Sequence, residues 1–189
     1  MVRLLYSVGP AVAAVGALAT VFVVPPLLDA AVPTRETEVT PGTVITLAAS
    51  GVGSLSGGDD PANAVAFLVP EPMDRIATGD ESIAVLRSRQ DDQRLAVTVA
   101  DGITDFEVAA PRLLLPLKAA GEQVYFDGGA FRAGEFEGLT CVLPNTAGGV
   151  CAVAKSGDVA VTVTVAGTTR EAGRALIAMV LESSKAVTE

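Results

Sequence analysis

Between Arg3 and Asp29 the chain has no charged residue, and LLYSVGPAVAAVGALATVFVV (residues 4–24) is apolar almost throughout. The 22 residues from Arg3 to the Pro25-Pro26 stop give ~33 Å of α-helix, which matches a hydrocarbon core of roughly 30 Å. Residues 4–24 are therefore expected to cross the lipid bilayer as one helix, kinked at Pro10. Beyond it VPTRETEVTPG is polar, Pro-bounded and without period, so residues 25–42 read as a stalk. A strand-like pattern starts at residue 43.

In the remainder, apolar residues recur with period two, the signature of half-buried strands. GTVITLAA (42–49) and AVAFLVPEP (64–72) read as the first two strands. SIAVLRSR (82–89) and QRLAVTVA (93–100) flank a short polar turn and predict a hairpin. Thr104-Asp105-Phe106-Glu107 has capping-box spacing, so a helix broken by Pro111 and Pro116 and ended by Gly121 is expected there, with an extended FEVAAP as the alternative. Asp127-Gly128-Gly129 reads as a turn between short strands. GLTCVLP (138–144) and GVCAVAKS (149–156) bracket NTAGG and predict a second pair of strands. DVAVTVTVAG (158–167) alternates most cleanly of all. A second capping box, Thr168 to Glu171, starts a helix to about Ser184, with Leu176, Ile177, Met179 and Val180 on its inner side and Arg170, Arg174, Glu182 and Lys185 in water. The predicted class is α+β: an antiparallel sheet of about six or seven strands crossed by a C-terminal helix. The predicted organisation is residues 1–3, a short N-terminus; 4–24, the span; 25–42, the stalk; and 43–189, the domain.

Charge sets the orientation. Arg3 is the only charge before the span, and Asp29, Arg35, Glu36 and Glu38 beyond it sum to negative. The positive-inside bias places the N-terminus in the cytoplasm and the domain outside the plasma membrane. A cleaved signal peptide is the competing reading. Its apolar region would be ~7–15 residues with small residues before the cut, whereas cutting after Ala30 or Ala31 puts Leu28 or Asp29 three residues back. Within the span Gly9, Ala13, Gly16 and Thr20 share one stripe. Small residues so placed let helices pack closely in lipid, though an Ala-rich span also yields such stripes by chance.

Composition excludes several chemistries. With Arg3 set aside, 12 Lys and Arg face 22 Asp and Glu, a balance of −10, which disfavours nucleic-acid binding. The chain has no His, the commonest general base and metal ligand. Asp59-Asp60 lacks the alternating oxygens of a calcium loop. The Gly51 to Gly57 run is not followed by a βαβ unit, and no nucleophile motif occurs. A non-enzymatic chain with no cofactor, metal or catalytic residue is expected.

Two features remain. Cys141 and Cys151 fall on strands that fold back at Asn145 to Gly148, close enough for a cross-strand disulfide, which an extracytoplasmic location favours. Without Cys-x-x-Cys spacing it reads as structural. Tyr125, Phe126, Phe131 and Phe136 are half of the eight aromatics. They form either a loop that anchors a partner or bulk for a core otherwise built from small residues.

VGPAVAAVGALATVFVVPPLLDAA, VPTRETEVTPGTV and GLTCVLPNTAGGVCAVAKSGDVAVTVTVAG with its terminal helix together resemble single-span, membrane-anchored envelope proteins of actinobacteria. The resemblance covers the span, the stalk and the C-terminal part. It implies a location and no chemistry. The function expected is that of an accessory or interaction subunit of a membrane-protein complex. The alternative is a tethered domain that binds a small molecule, a lipid or a cell-wall fragment.

Overall fold

The computed structural model describes residues 36–51 and 63–187. The predicted span, its small-residue stripe Gly9, Ala13, Gly16 and Thr20, and Asp59-Asp60 lie outside the described residues. Among the described residues no helix is long and apolar enough to cross a membrane.

Twelve strands occur here: β1 (Glu36–Val39), β2 (Val44–Ala48), β3 (Ser50–Gly51), β4 (Ala64–Leu68), β5 (Met73–Ile76), β6 (Ile83–Ser88), β7 (Arg94–Asp101), β8 (Tyr125–Ala133), β9 (Phe136–Leu143), β10 (Gly149–Ser156), β11 (Val159–Ala166) and β12 (Lys185–Val187). The helices are α1 (Phe106–Leu113), α2 (Leu115–Ala119) and α3 (Arg170–Ser183). The main sheet runs β1-β5-β6-β7-β11-β10-β9-β8, antiparallel along that path, with β3 added parallel to the end of β7. A second sheet of three strands runs β12-β4-β2. The α+β class stands, as a mainly antiparallel fold with a C-terminal helix, but it has two sheets where one was expected.

Alternation explains the layering. Leu95, Val97 and Val99 of β7 and Val159, Val161, Val163 and Val165 of β11 point to one face and are buried. There they meet Ile45 and Leu47 of β2, Val65 and Phe67 of β4, and Leu176, Ile177, Val180 and Leu181 of α3. The small sheet and α3 thus jointly cover the inner face of the main sheet. A smaller cluster lies on the outer face, where Ala110 and Leu114 pack with Val124, Cys141, Leu143, Cys151 and Val153. The α1–α2 segment covers that face only over β9 and β10.

Local chemistry moved several boundaries. Asp105, not Thr104, caps α1, its carboxylate accepting from Val108 N–H. Pro116 then opens α2 after the break at Leu114, where its missing N–H costs nothing. Likewise Thr169, not Thr168, caps α3. Met179, expected inside, is 49% exposed. Asp127-Gly128-Gly129 makes a bulge within β8 rather than a turn, since the register shifts between Phe126 and Ala130. The reversal into β9 comes instead at Gly134-Glu135, with Gly134 at φ +58°, a conformation glycine adopts freely. Gly138 is fixed by packing: a Cβ there would lie 2.1 Å from the Val153 carbonyl oxygen.

The sheet also extends into residues read as stalk. Glu36–Val39 pairs with β5, Val39 opposite Met73. Arg89 holds this edge strand in place, its guanidinium 2.9 Å from Glu38 and 2.6 Å from Asp74. Hydrogen bonding from Arg89 is the main cause that holds the Asp74 carboxyl below its usual range.

Candidate interaction surface

Among the described residues, the outer face of the main sheet is covered by α1 and α2 on one half and by no element on the other. Across the bare half the register sets Ile76 beside Val85, Val85 beside Ala96 and Ala96 beside Thr164. The next row sets Ile83 beside Thr98 and Thr98 beside Thr162. Thr162 is buried and the other six are half-buried. These are the residues that alternate with the buried Leu86, Leu95, Val97, Val161 and Val163. An antiparallel sheet with one wet face is ordinarily polar there. This one instead presents branched and small side chains, with threonine hydroxyls as the polar content. At ~4.8 Å between strands, the four strands make a shelf about 15 Å across.

Its borders differ in chemistry. One end is a charged row, Glu38, Asp74, Arg87 and Arg94, again set by register. Arg87 stands directly opposite Arg94, a like-charge pair that a sheet does not favour. Arg87 has Glu36 at 3.7 Å; among the described residues no ion pair involves Arg94. Toward the covered half, α1 and α2 leave Val108 50% and Leu115 55% exposed. A groove of about 240 Å³ beside α1 is lined by Ile103, Asp105, Val108, Ala109, Arg112 and Leu113, below the ~300 Å³ at which ligand pockets begin. A larger hollow of about 670 Å³ at the charged end is lined by Glu36, Asp74, Arg87, Arg89, Asp91 and Asp92 among others, not by the apolar walls that small-molecule sites favour.

The aromatic stretch does not converge. Phe136 is fully buried in the inner core. Phe131 packs against that same core, and Phe126 packs on the opposite side against the cluster around the cysteines. Only Tyr125 is largely exposed, at 55%. The three Phe rings supply bulk to two cores, and Tyr125 stands apart from both. Cys141 and Cys151 are brought together as expected: they are register partners with Cα atoms 4.8 Å apart and form a disulfide beneath α1 and α2.

The β8 bulge carries a polar cluster. The Asp127 carboxylate accepts from Thr140 Oγ1 and from Gly129 N–H at 3.2 Å, and pairs with Arg174 of α3 at 2.9 Å. The Thr140 hydrogen bond, helped by Gly129 and Arg174 and opposed by partial burial, holds the Asp127 carboxyl below its ordinary range. Asp80 is lowered in the same way by Ser82. A carboxylate of depressed pKa stabilises the fold above the unfolded value of ~3.9 and loses that contribution as pH falls through the folded value. Stability should therefore drop from about pH 4 downward. In Asp127→Asn, acid unfolding followed by circular dichroism should show a shallower acid limb, with stability lowered at pH 7 and little changed at the acid end.

Among the described residues no group of three His, Cys, Asp or Glu side chains could hold a metal ion. No family model, curated protein or solved structure matches the chain. The bare shelf was not apparent in the sequence. Its threonines and alanines stand out only as the polar phase of an alternation, and their joining into rows depends on the register of four strands.

Proposed function

We propose that this chain is a non-enzymatic accessory subunit of a membrane-protein complex in the cell envelope. It is anchored by residues 4–24 with its domain outside the plasma membrane, and it holds a protein partner on the bare half of the outer sheet face. The observation that carries the reading is the pair of register rows, Ile76-Val85-Ala96-Thr164 and Ile83-Thr98-Thr162. They set a half-buried, uncharged surface of branched and small side chains, bordered by Glu36 beside Ile76, on a chain that is acidic overall. Apolar surface that is only partly covered by its own fold is where a partner gains most by completing the burial. At its rim Arg94, which makes no ion pair among the described residues, fits a partner whose apolar patch is bordered by a carboxylate. The Cys141–Cys151 bridge supports the extracytoplasmic placement, because disulfides persist in oxidising compartments.

The test is to extract tagged full-length protein in mild detergent and identify what elutes with it. A stoichiometric membrane protein is expected. Ile83→Glu should abolish the association, since it sets an unpaired carboxylate into the contact, and Arg94→Glu should weaken it and reduce its salt dependence. Melting temperature measured on the same variants separates loss of contact from loss of fold. A complex that survives Ile83→Glu, with the fold intact, overturns the shelf as the contact.

A further inference from the structure

The three-stranded sheet has a second face that the core does not use. Ile45, Leu47, Val65 and Phe67 point inward and are buried. Their alternates point outward, and the register sets Val44 beside Leu68, Thr46 beside Ala66, Ala66 beside Lys185, and Ala64 beside Val187. Val44 is 59%, Leu68 43% and Val187 39% exposed. A depression of about 230 Å³ opens among Val44, Ala66, Leu68, Ser183 and Lys185. No outward residue of these three strands is Asp or Glu, and the one charge is Lys185. The Glu135 carboxylate next to β12 is engaged by the Ala186 N–H.

We propose that this face rests on the bilayer surface, with Val44, Leu68 and Val187 at the boundary between headgroups and acyl chains and the Lys185 ammonium at the phosphates of anionic lipids. The proposal rests on the tethered reading given above. Apolar side chains combined with a cation are the chemistry of interfacial binding, and a long lysine stem lets the charge reach the headgroups from an apolar contact.

Two observations select lipid over a second copy of the chain. Pairing this face with itself about a two-fold axis would bring two Lys185 ammonium groups into one apolar interface to which neither copy contributes a carboxylate. The first described strand, β1, also leads into this sheet within a few residues. Residues 25–35 between the proposed span and β1 extend at most ~40 Å, and only Thr40 to Thr43 separate β1 from Val44. The anchor therefore keeps the Val44–Leu68 corner within reach of the membrane that it crosses.

The chain has no tryptophan, so a single one reports alone. Full-length Leu68→Trp, and Val108→Trp on α1 as the control, are reconstituted in vesicles of neutral and anionic phospholipid with brominated acyl chains. Flotation on a density gradient is scored first. The expected result is blue-shifted emission for Leu68→Trp, quenched by bromine several-fold more strongly than Val108→Trp, with Lys185→Glu reducing the quenching in anionic vesicles. Protein that floats while Leu68→Trp emits as in water overturns this proposal and leaves the tether standing. A blue shift that grows with protein density and is insensitive to bromine indicates a second copy on the face, and also overturns it. Protein that does not float overturns the tether and this proposal with it.

Discussion

Phe136→Ala is expected to destabilise the domain by about 3–5 kcal/mol, the range for removing a buried aromatic ring. The ring is fully buried, at the first position of β9 and opposite Ala133 of β8. It belongs to the core shared by the main sheet, the small sheet and α3. Its neighbours are mostly valine, alanine and leucine held in strands, which collapse poorly into a void, so the cost should fall toward the upper end. Tyr125, eleven residues earlier, is 55% exposed, and Tyr125→Ala should stay within about 0.5 kcal/mol of the parent. Urea titrations of both variants measure the contrast. Equal effects would show that the aromatic stretch works as a unit, contrary to the placement of its rings on separate surfaces.

Removing the disulfide is the second large perturbation. Cys141 and Cys151 are separated by ten residues, and closing a loop of that size in the unfolded chain corresponds to ~3 kcal/mol. For a domain of this length, that is roughly 6–12 °C in melting temperature. The double change to alanine is the informative one. Both sulfurs lie beneath α1 and α2 among Ala110, Leu114, Val124 and Val153, where serine would add unpaired buried hydroxyls costing about 1–3 kcal/mol each. Calorimetry of Cys141→Ala/Cys151→Ala should show the lowered midpoint, and the parent protein with reductant should approach it. Mass spectrometry of exported protein without reductant should find the two peptides linked; free thiols on both would argue against an oxidising location.

Much of the fold was legible because its long strands are amphipathic on their own. Val97 and Val99, or Val159 through Val165, declare an inner face without reference to any partner. The caps of α1 and α3 were legible too, each displaced by one residue because two adjacent oxygen-bearing side chains offer caps to successive amides. What stayed hidden is what only partners decide. ETEV, MDRI and KAV become β1, β5 and β12, yet each is short, polar or charged, and too brief to show a period. MDRI contributes one deeply buried side chain, Met73. The second sheet was hidden for the same reason, since β12 completes it from the far end of the chain. The shelf is further still from the sequence, because Ile83, Thr98 and Thr162 become neighbours only through two strand registers.

The position of β1 has a mechanical consequence. A pull applied at Glu36 across the strand direction loads an edge strand from its free end, so its bonds to β5 break one after another rather than together. Resistance is concentrated where Arg89 bridges Glu38 and Asp74. Peeling β1 and its following turn releases residues 36–43, a contour of up to ~28 Å. Val39 is the only residue of that segment in the core, so the rest of the core keeps its packing. The domain thus has a terminal strand that can yield under a pull at Glu36 and re-pair when the pull is released.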